Sequence, residues 1–237
     1  MSAKATAGDR GVTARLLVVA TPIGNLEDIT LRALRVLREC DAVVAEDSRR
    51  TRVLLSAHGI AKPIVSLPAF DEARRIPQVI ARLDRGERLA LCSDAGTPAL
   101  SDPGAALVRA AREAGHRVEP VPGPSALTAA LSASGMDAAA FCFLGFLPRT
   151  PGKARRALEA ALAGGSALAF FESPLRLART LTLAAPLLGE REVMVARELT
   201  KLHETFHAGS ATDLAAMFDG TPPRGECTVL VEASRRR

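Results

Sequence analysis

The segment RLALCSDAGTPALSDPGAALVRAAREAGHRVEPVPGPS, residues 88–125, decides the fold. Its apolar run over 89–93 has the length and continuity of a strand buried on both faces, and 117–121 is a second strand. Between them, residues 103–114 carry apolar side chains at helical spacing and stop at Gly115. Strand, helix and strand in that order make a crossover between parallel strands. The loop after the first strand is unusual. Ser93-Asp94-Ala95-Gly96-Thr97-Pro98, followed by Ser101-Asp102-Pro103-Gly104, holds more hydroxyls and turn residues than a simple connection requires.

The same alternation extends outward. Strands are predicted over 16–20, 42–45 and 64–67, and helices from near Asp28 (capped by Asp28 or Thr30) and over 48–57 and 72–84. Pro122-Gly123-Pro124 breaks both kinds of ladder and marks a domain boundary, giving domains over 15–122 and 123–237. Beyond it come a helix over 125–134, a strand over 141–147, a basic helix over 153–162, a strand over 167–171 and a helix from Pro174. Runs over 193–198 and 203–207 follow with no helix between them, then a short helix near Asp213 and a strand over 227–231. Successive strands without a crossover pair antiparallel, so the fold class is α/β in two domains, the first sheet mainly parallel and the second mixed.

Composition excludes several classes. Of 237 residues 48% are hydrophobic and 24% charged, an ordinary globular balance. The most apolar stretch, 126–146, is interrupted by Ser132, Ser134, Gly135 and Asp137, so no membrane span is expected. Residues 1–14 lack a signal-peptide apolar region and read as a flexible leader on a cytoplasmic protein. Cys40, Cys92, Cys142 and Cys227 form no CxxC pair and read as reduced thiols, with no metal site. Net charge is +5, and only four of the 31 basic residues are lysine. Three arginines, Arg235, Arg236 and Arg237, close the chain. With eight Phe and no Trp or Tyr, any RNA contact leans on phosphates and shape rather than on base stacking.

In open α/β sheets ligands sit at the carboxyl ends of strands. The first strand runs into Thr21-Pro22-Ile23-Gly24-Asn25, which is not the dinucleotide fingerprint, and the fifth into Pro122-Gly123-Pro124-Ser125-Ala126. No GxxxxGK[ST] loop occurs. The second strand ends in Glu46-Asp47-Ser48-Arg49-Arg50-Thr51-Arg52, either a solvated helix start or a phosphate-facing arginine group beside an acid that handles a hydroxyl. Ala196-Arg197-Glu198-Leu199-Thr200-Lys201 is a similar concentration. His203-Glu204-Thr205-Phe206-His207 fits the zinc-protease pattern, but a strand is expected here, and residues four apart on a strand lie about 13 Å apart, too far for one ion.

With these loops the chain closely resembles the tetrapyrrole methylase superfamily, the class III methyltransferases, and within it the ribosomal RNA small subunit methyltransferase I family. The resemblance is carried by TPIGN (21–25), AEDSRRTRVLL (45–55), SDAGTP (93–98), VPGPSALTAALSASG (121–135), FLGFLPR (143–149), FFESPLRL (170–177), ARELTKLHETFHAG (196–209) and RGECTVLVE (224–232). It implies an S-adenosylmethionine-dependent enzyme that methylates the ribose 2′-hydroxyl of a cytidine in 16S rRNA of the small ribosomal subunit. It also implies a homodimer, with the cofactor folded in the cleft between two domains. Carried over by position, Pro22, Ile23, Gly24, Asp94, Gly96, Thr97, Leu100, Ser125, Ala126, Phe171, Glu172 and Ala196 contact the cofactor. Relatives often have a His- and Asn-rich stretch after the third strand, where this chain has Ser66-Leu67-Pro68-Ala69-Phe70-Asp71-Glu72, and only Glu72 matches.

A ribose hydroxyl is a weak nucleophile, so the expected catalytic groups are Asp47, Glu198 and Lys201, which position or deprotonate it. Arg49, Arg50, Arg52, Arg197 and Lys201 are expected to hold the RNA. The rival readings are a tetrapyrrole or small-metabolite methyltransferase and a non-catalytic RNA-binding module of ribosome assembly.

Overall fold

Strand β1 (Arg15–Val19) is an interior strand of the first sheet, paired on both sides, and Leu16 and Leu17 are buried on its opposite faces. The computed structural model describes residues 14–220 and 225–234, and the chain divides between Ser125 and Ala126 into two compact units. All of the expected leader but Ala14, and the three terminal arginines, lie outside the described residues.

In the first unit β1, β2 (Ala42–Ala45), β3 (Ile64–Ser66), β4 (Arg88–Cys92) and β5 (Arg117–Val121) form a parallel sheet of order β3-β2-β4-β1-β5. Leu17, Val43 and Ala90 pack on one face with α1 (Leu31–Glu39) and α2 (Ser48–Ala57). Leu16, Val44 and Leu91 pack on the other with α3 (Glu72–Asp84) and α4 (Ala105–Glu113). Both faces being covered explains why these strands read as unbroken apolar runs. Of the two caps expected for the first helix the structure uses Thr30, and α4 begins later than the sequence predicts. The chain first makes a single 3-10 turn at Leu26–Asp28, and the Thr30 hydroxyl then accepts from the Ala33 N–H to start α1. Gly104, with φ at 118°, cannot be helical, so α4 starts after it rather than at Pro103.

The second unit contains α5 (Ala126–Ser134), β6 (Phe141–Phe146), α6 (Pro151–Leu162), β7 (Ala167–Glu172), α7 (Pro174–Leu188), β8 (Val193–Arg197), β9 (Thr205–Gly209), α8 (Ala211–Asp219) and β10 (Cys227–Val231). Its sheet runs β6-β7-β10-β8-β9, with β6 and β7 parallel and the other pairs antiparallel, so it is mixed as expected. Phe170, Leu177, Leu181 and Leu214 fill its core. The ninth strand starts two residues later than the sequence predicts. His203 and Glu204 fall in the turn before it, so the zinc-protease pattern straddles a turn and a strand.

Among the described residues no helix is long and apolar enough to cross a membrane, and no group of three or more His, Cys, Asp or Glu could hold a metal ion. Cys40, Cys92 and Cys227 are buried free thiols, and Cys142 is partly buried.

Candidate functional site

Three loops of the first unit are knitted together at the carboxyl edge of its sheet. Thr21, after β1, and Gly96, after β4, exchange backbone hydrogen bonds of 2.9 and 3.0 Å. The Thr97 hydroxyl donates to the Pro124 carbonyl at 3.2 Å, which ties in the loop after β5. Gly96 is required twice, by its φ of +78° and because a Cβ there would meet Ile23 Cγ2 at 3.3 Å. The structure thus brings Ile23, Gly96 and Thr97 together with Pro124. Pro22 and Leu100 are half-buried and Gly24 is exposed, while Ser125 precedes α5 and Ala126 begins it. Ala99 and Ser101 both have φ of 66°, left-handed backbone that costs free energy in a non-glycine residue. The loop is held in this shape from outside as well, by Glu72 at the start of α3, whose Oε1 accepts from the Gly104 N–H at 3.0 Å.

The loop after β2 joins this group through Asp94, whose Oδ1 accepts from the Asp47 N–H at 3.0 Å. Asp94 also lies 3.6 Å from Arg50. Asp47 itself caps α2, its carboxylate accepting from the Arg49 N–H at 2.7 Å. Arg49 and Arg52 are exposed on that helix. The sequence reading names Glu46 in this stretch but takes Asp47, not Glu46, as the catalytic candidate. Burial, and then the charges of Asp94 and Asp102, push the Glu46 carboxyl above the usual carboxylate range. No local signal shows this environment, because the two largest charge effects, from Asp94 and Asp102, come from a loop distant in sequence.

In the second unit the turn between β8 and β9 has left-handed backbone at Glu198 (φ 52°) and Thr200 (φ 64°). Lys201 Nζ donates to Glu198 at 2.8 Å and to Glu226 at 3.1 Å, and the Glu226 N–H donates to Glu198 at 3.0 Å. Burial works against the charge on Glu198, but Lys201 and the Glu226 N–H outweigh it and hold the carboxyl below its usual range. Burial likewise opposes the Lys201 ammonium, and the two carboxylates override it and raise its pKa. Lys201 is therefore a fixed cation. Arg197 is braced by the Thr205 hydroxyl at 3.1 Å and the His203 carbonyl at 3.2 Å.

Phe171 and Glu172 end β7, and Ala196 is buried in β8. Phe171 packs edge-on against Phe143, with ring centroids 5.0 Å apart. The Glu172 carboxylate is buried and engaged, accepting from the Ser173 N–H at 2.8 Å and the Thr180 hydroxyl at 2.7 Å, with Arg176 3.2 Å away. Its side chain closes the junction between β7 and α7.

The tetrapyrrole (corrin/porphyrin) methylase family model matches residues 15–215. The chain belongs to the tetrapyrrole methylase family. S-adenosylmethionine is the methyl donor of that family. Among curated relatives of this methylase, the ribosomal RNA small subunit methyltransferase I of Thermotoga maritima is 46% identical over 92% of this chain and 97% of its own. The protein of the same name from Escherichia coli O157:H7 is 45% identical over 93% of this chain and 78% of its own. The methylase also resembles solved structures in fold. The methyltransferase CobJ has a TM-score of 0.72 at 20% identity, covering 94% of this chain and 97% of that one. A diphthine synthase has a TM-score of 0.73 at 16% identity, covering 92% and 90%.

Proposed function

We propose that this methylase transfers a methyl group from S-adenosylmethionine to the ribose 2′-hydroxyl of a cytidine in 16S rRNA within the small ribosomal subunit, working as a homodimer. The observation that carries the reading is the 46% identity, over nine-tenths of the chain, to a relative named for methylating small-subunit ribosomal RNA. The loop cluster suits the donor. With no side chain at Gly96 and Gly123, where a Cβ would meet Ile23 Cγ2 at 3.3 Å and Ala20 Cβ at 3.1 Å, the three loops pack closely into one cluster at the strand ends where ligands of open α/β sheets sit.

Pro22, Ile23, Gly24, Asp94, Gly96, Thr97, Leu100, Ser125 and Ala126 are the proposed cofactor contacts of these loops, with Phe171, Glu172 and Ala196 from the second unit. Because the Glu172 carboxylate is already engaged, its contribution is through the main chain. The bound donor supplies a methyl carbon made electrophilic by its sulfonium. What falls to the protein is to align the hydroxyl and take its proton. Asp47 and Glu198 are the proposed groups for that work, and Glu46 joins them because it stands at the same strand end as Asp47, close to Asp94 and Asp102, whose charges and its burial hold its carboxyl above the usual range. Lys201, fixed as a cation, orients Glu198 and faces phosphate rather than accepting a proton. Arg49, Arg50, Arg52 and Arg197 are the proposed RNA contacts.

The test is incubation of the protein with labelled S-adenosylmethionine and unmethylated 30S subunits, followed by digestion and mapping of the modified nucleotide. Label on a cytidine 2′-oxygen is the expected result. Cofactor binding without RNA labelling would turn the assignment toward a small-metabolite methyltransferase, and subunit binding without cofactor binding toward a non-catalytic module.

A further inference from the structure

Three adjacent strands of the first sheet, β4, β1 and the edge strand β5, each begin with an arginine, and the register aligns them: Arg15 of β1 pairs with Arg88 of β4 on one side and Arg117 of β5 on the other. Residues in register on parallel strands share a face, so three guanidinium groups start from one row at the amino edge. The edge that carries the loops described above is the opposite one, about 16 Å away along five-residue strands. A cavity of about 110 Å³ opens at this amino edge, lined by Arg15 and Arg88, by Arg32 and Arg35 of α1, and by Glu39 and Glu119.

The charges there do not balance. Glu119 Oε1 is shared between Arg15 at 3.2 Å and Arg117 at 2.7 Å, so one carboxylate answers two guanidinium groups. The Arg88 guanidinium donates to the Glu39 main-chain carbonyl, a contact that orients it but cancels no charge. Arg32 and Arg35 project from adjacent turns of α1 and are exposed. The cavity wall thus carries four arginines against two carboxylates. Its floor, formed by Leu17, Val36 and Cys40, is apolar and strengthens electrostatic attraction to whatever enters. A row of like charges held in register raises the free energy of the fold unless an anion relieves it, and arginine forks match phosphate oxygens.

We propose that this cavity is a phosphate-binding site, gripping a phosphate group through Arg32, Arg35, Arg15 and Arg88 at the sheet edge remote from the chemistry. The phosphate comes either from a backbone phosphodiester of the RNA, which rests on the proposed function, or from free phosphate in solution. Neither Arg32 nor Arg35 belongs to the cofactor or catalytic residues named above.

The experiment compares the full-length protein with the R32E/R35E double variant and with the milder R32Q/R35Q. Inorganic phosphate, set against chloride at equal ionic strength, is expected to raise the thermal midpoint of the unmodified protein by about 3 °C and to leave both variants unmoved. If the source is RNA, the slope of log affinity for 30S subunits against log salt also falls by about 0.7–0.9 in the variants, while S-adenosylmethionine affinity is unchanged. A phosphate shift with an unchanged RNA slope assigns the site to free phosphate. The absence of both effects overturns the proposal. Because the phosphate arm needs no RNA, it stands whether or not the methylation assay succeeds.

Discussion

At the scale of single residues, the informative positions are those whose environment comes from distant chain. Glu46 has a folded-state pKa above its unfolded value, caused first by burial and then by Asp94 and Asp102. Such a group contributes stability that is present below the ordinary carboxylate range and lost as pH rises through the folded pKa. At neutral pH its charge therefore destabilises the fold. Glu46→Gln is expected to raise the thermal midpoint at pH 7, and the advantage should vanish as pH is lowered below the usual carboxylate pKa; thermal unfolding from pH 4 to 8 measures it. Gly104 is the opposite case, since its role follows from its own backbone. With φ at +118° and a Cβ that would fall 2.9 Å from Leu91 Cδ2, Gly104→Ala should cost about 1–3 kcal/mol, read by chemical denaturation. Sequence marked both places unequally. The excess of turn residues made the loop around Gly104 conspicuous, whereas Glu46 looked like one acid among several at a helix start.

At the scale of elements, strands and helices buried on a fixed period were legible and the junctions between them were less so. The four residues of β2 are all buried apolar side chains, and their limits agree with the sequence reading. Strand β9 starts two residues later than the sequence predicts because the left-handed positions of the turn before it are Glu198 and Thr200, and no glycine announces that turn. Its geometry rests instead on Lys201, Glu198 and Glu226, whose last member lies beyond α8. The resemblance makes Phe171 and Glu172, at the junction of β7 and α7, cofactor contacts, and the structure adds a support that sequence does not show: Glu172 buried against the Thr180 hydroxyl, two turns into α7. Thr180→Val keeps the shape but removes one donor from a buried carboxylate. The expected loss is about 1–3 kcal/mol. Thermal unfolding should report a fall of several degrees, with S-adenosylmethionine affinity retained if the carboxylate's role is structural.

At the scale of the first unit as a whole, the parallel sheet carries two separate arginine groups. Arg49 and Arg52 are exposed on the helix that follows β2, Arg49 near the carboxyl edge and Arg52 further along, beside the loop that leads into β3, while Arg32 and Arg35 flank the cavity at the amino edge. Each group is a candidate contact to one polyanion, and each neutralised phosphate adds about 0.7–0.9 to the salt slope of binding. Neither Arg49 nor Arg52 lines the cavity of Arg32 and Arg35, so the contributions of the two groups should be independent. We therefore expect R49E/R52E to weaken 30S binding and lower its salt slope without altering S-adenosylmethionine affinity. Combining it with R32E/R35E should lower the slope by the sum of the two separate changes, measured by binding titrations at several salt concentrations. A combined slope equal to that of R49E/R52E alone would mean that the amino edge never meets RNA, and that its arginines serve free phosphate. A combined slope smaller than either but short of the sum would mean that the RNA reaches the two edges in alternative rather than simultaneous contacts, since independent phosphates released together must add.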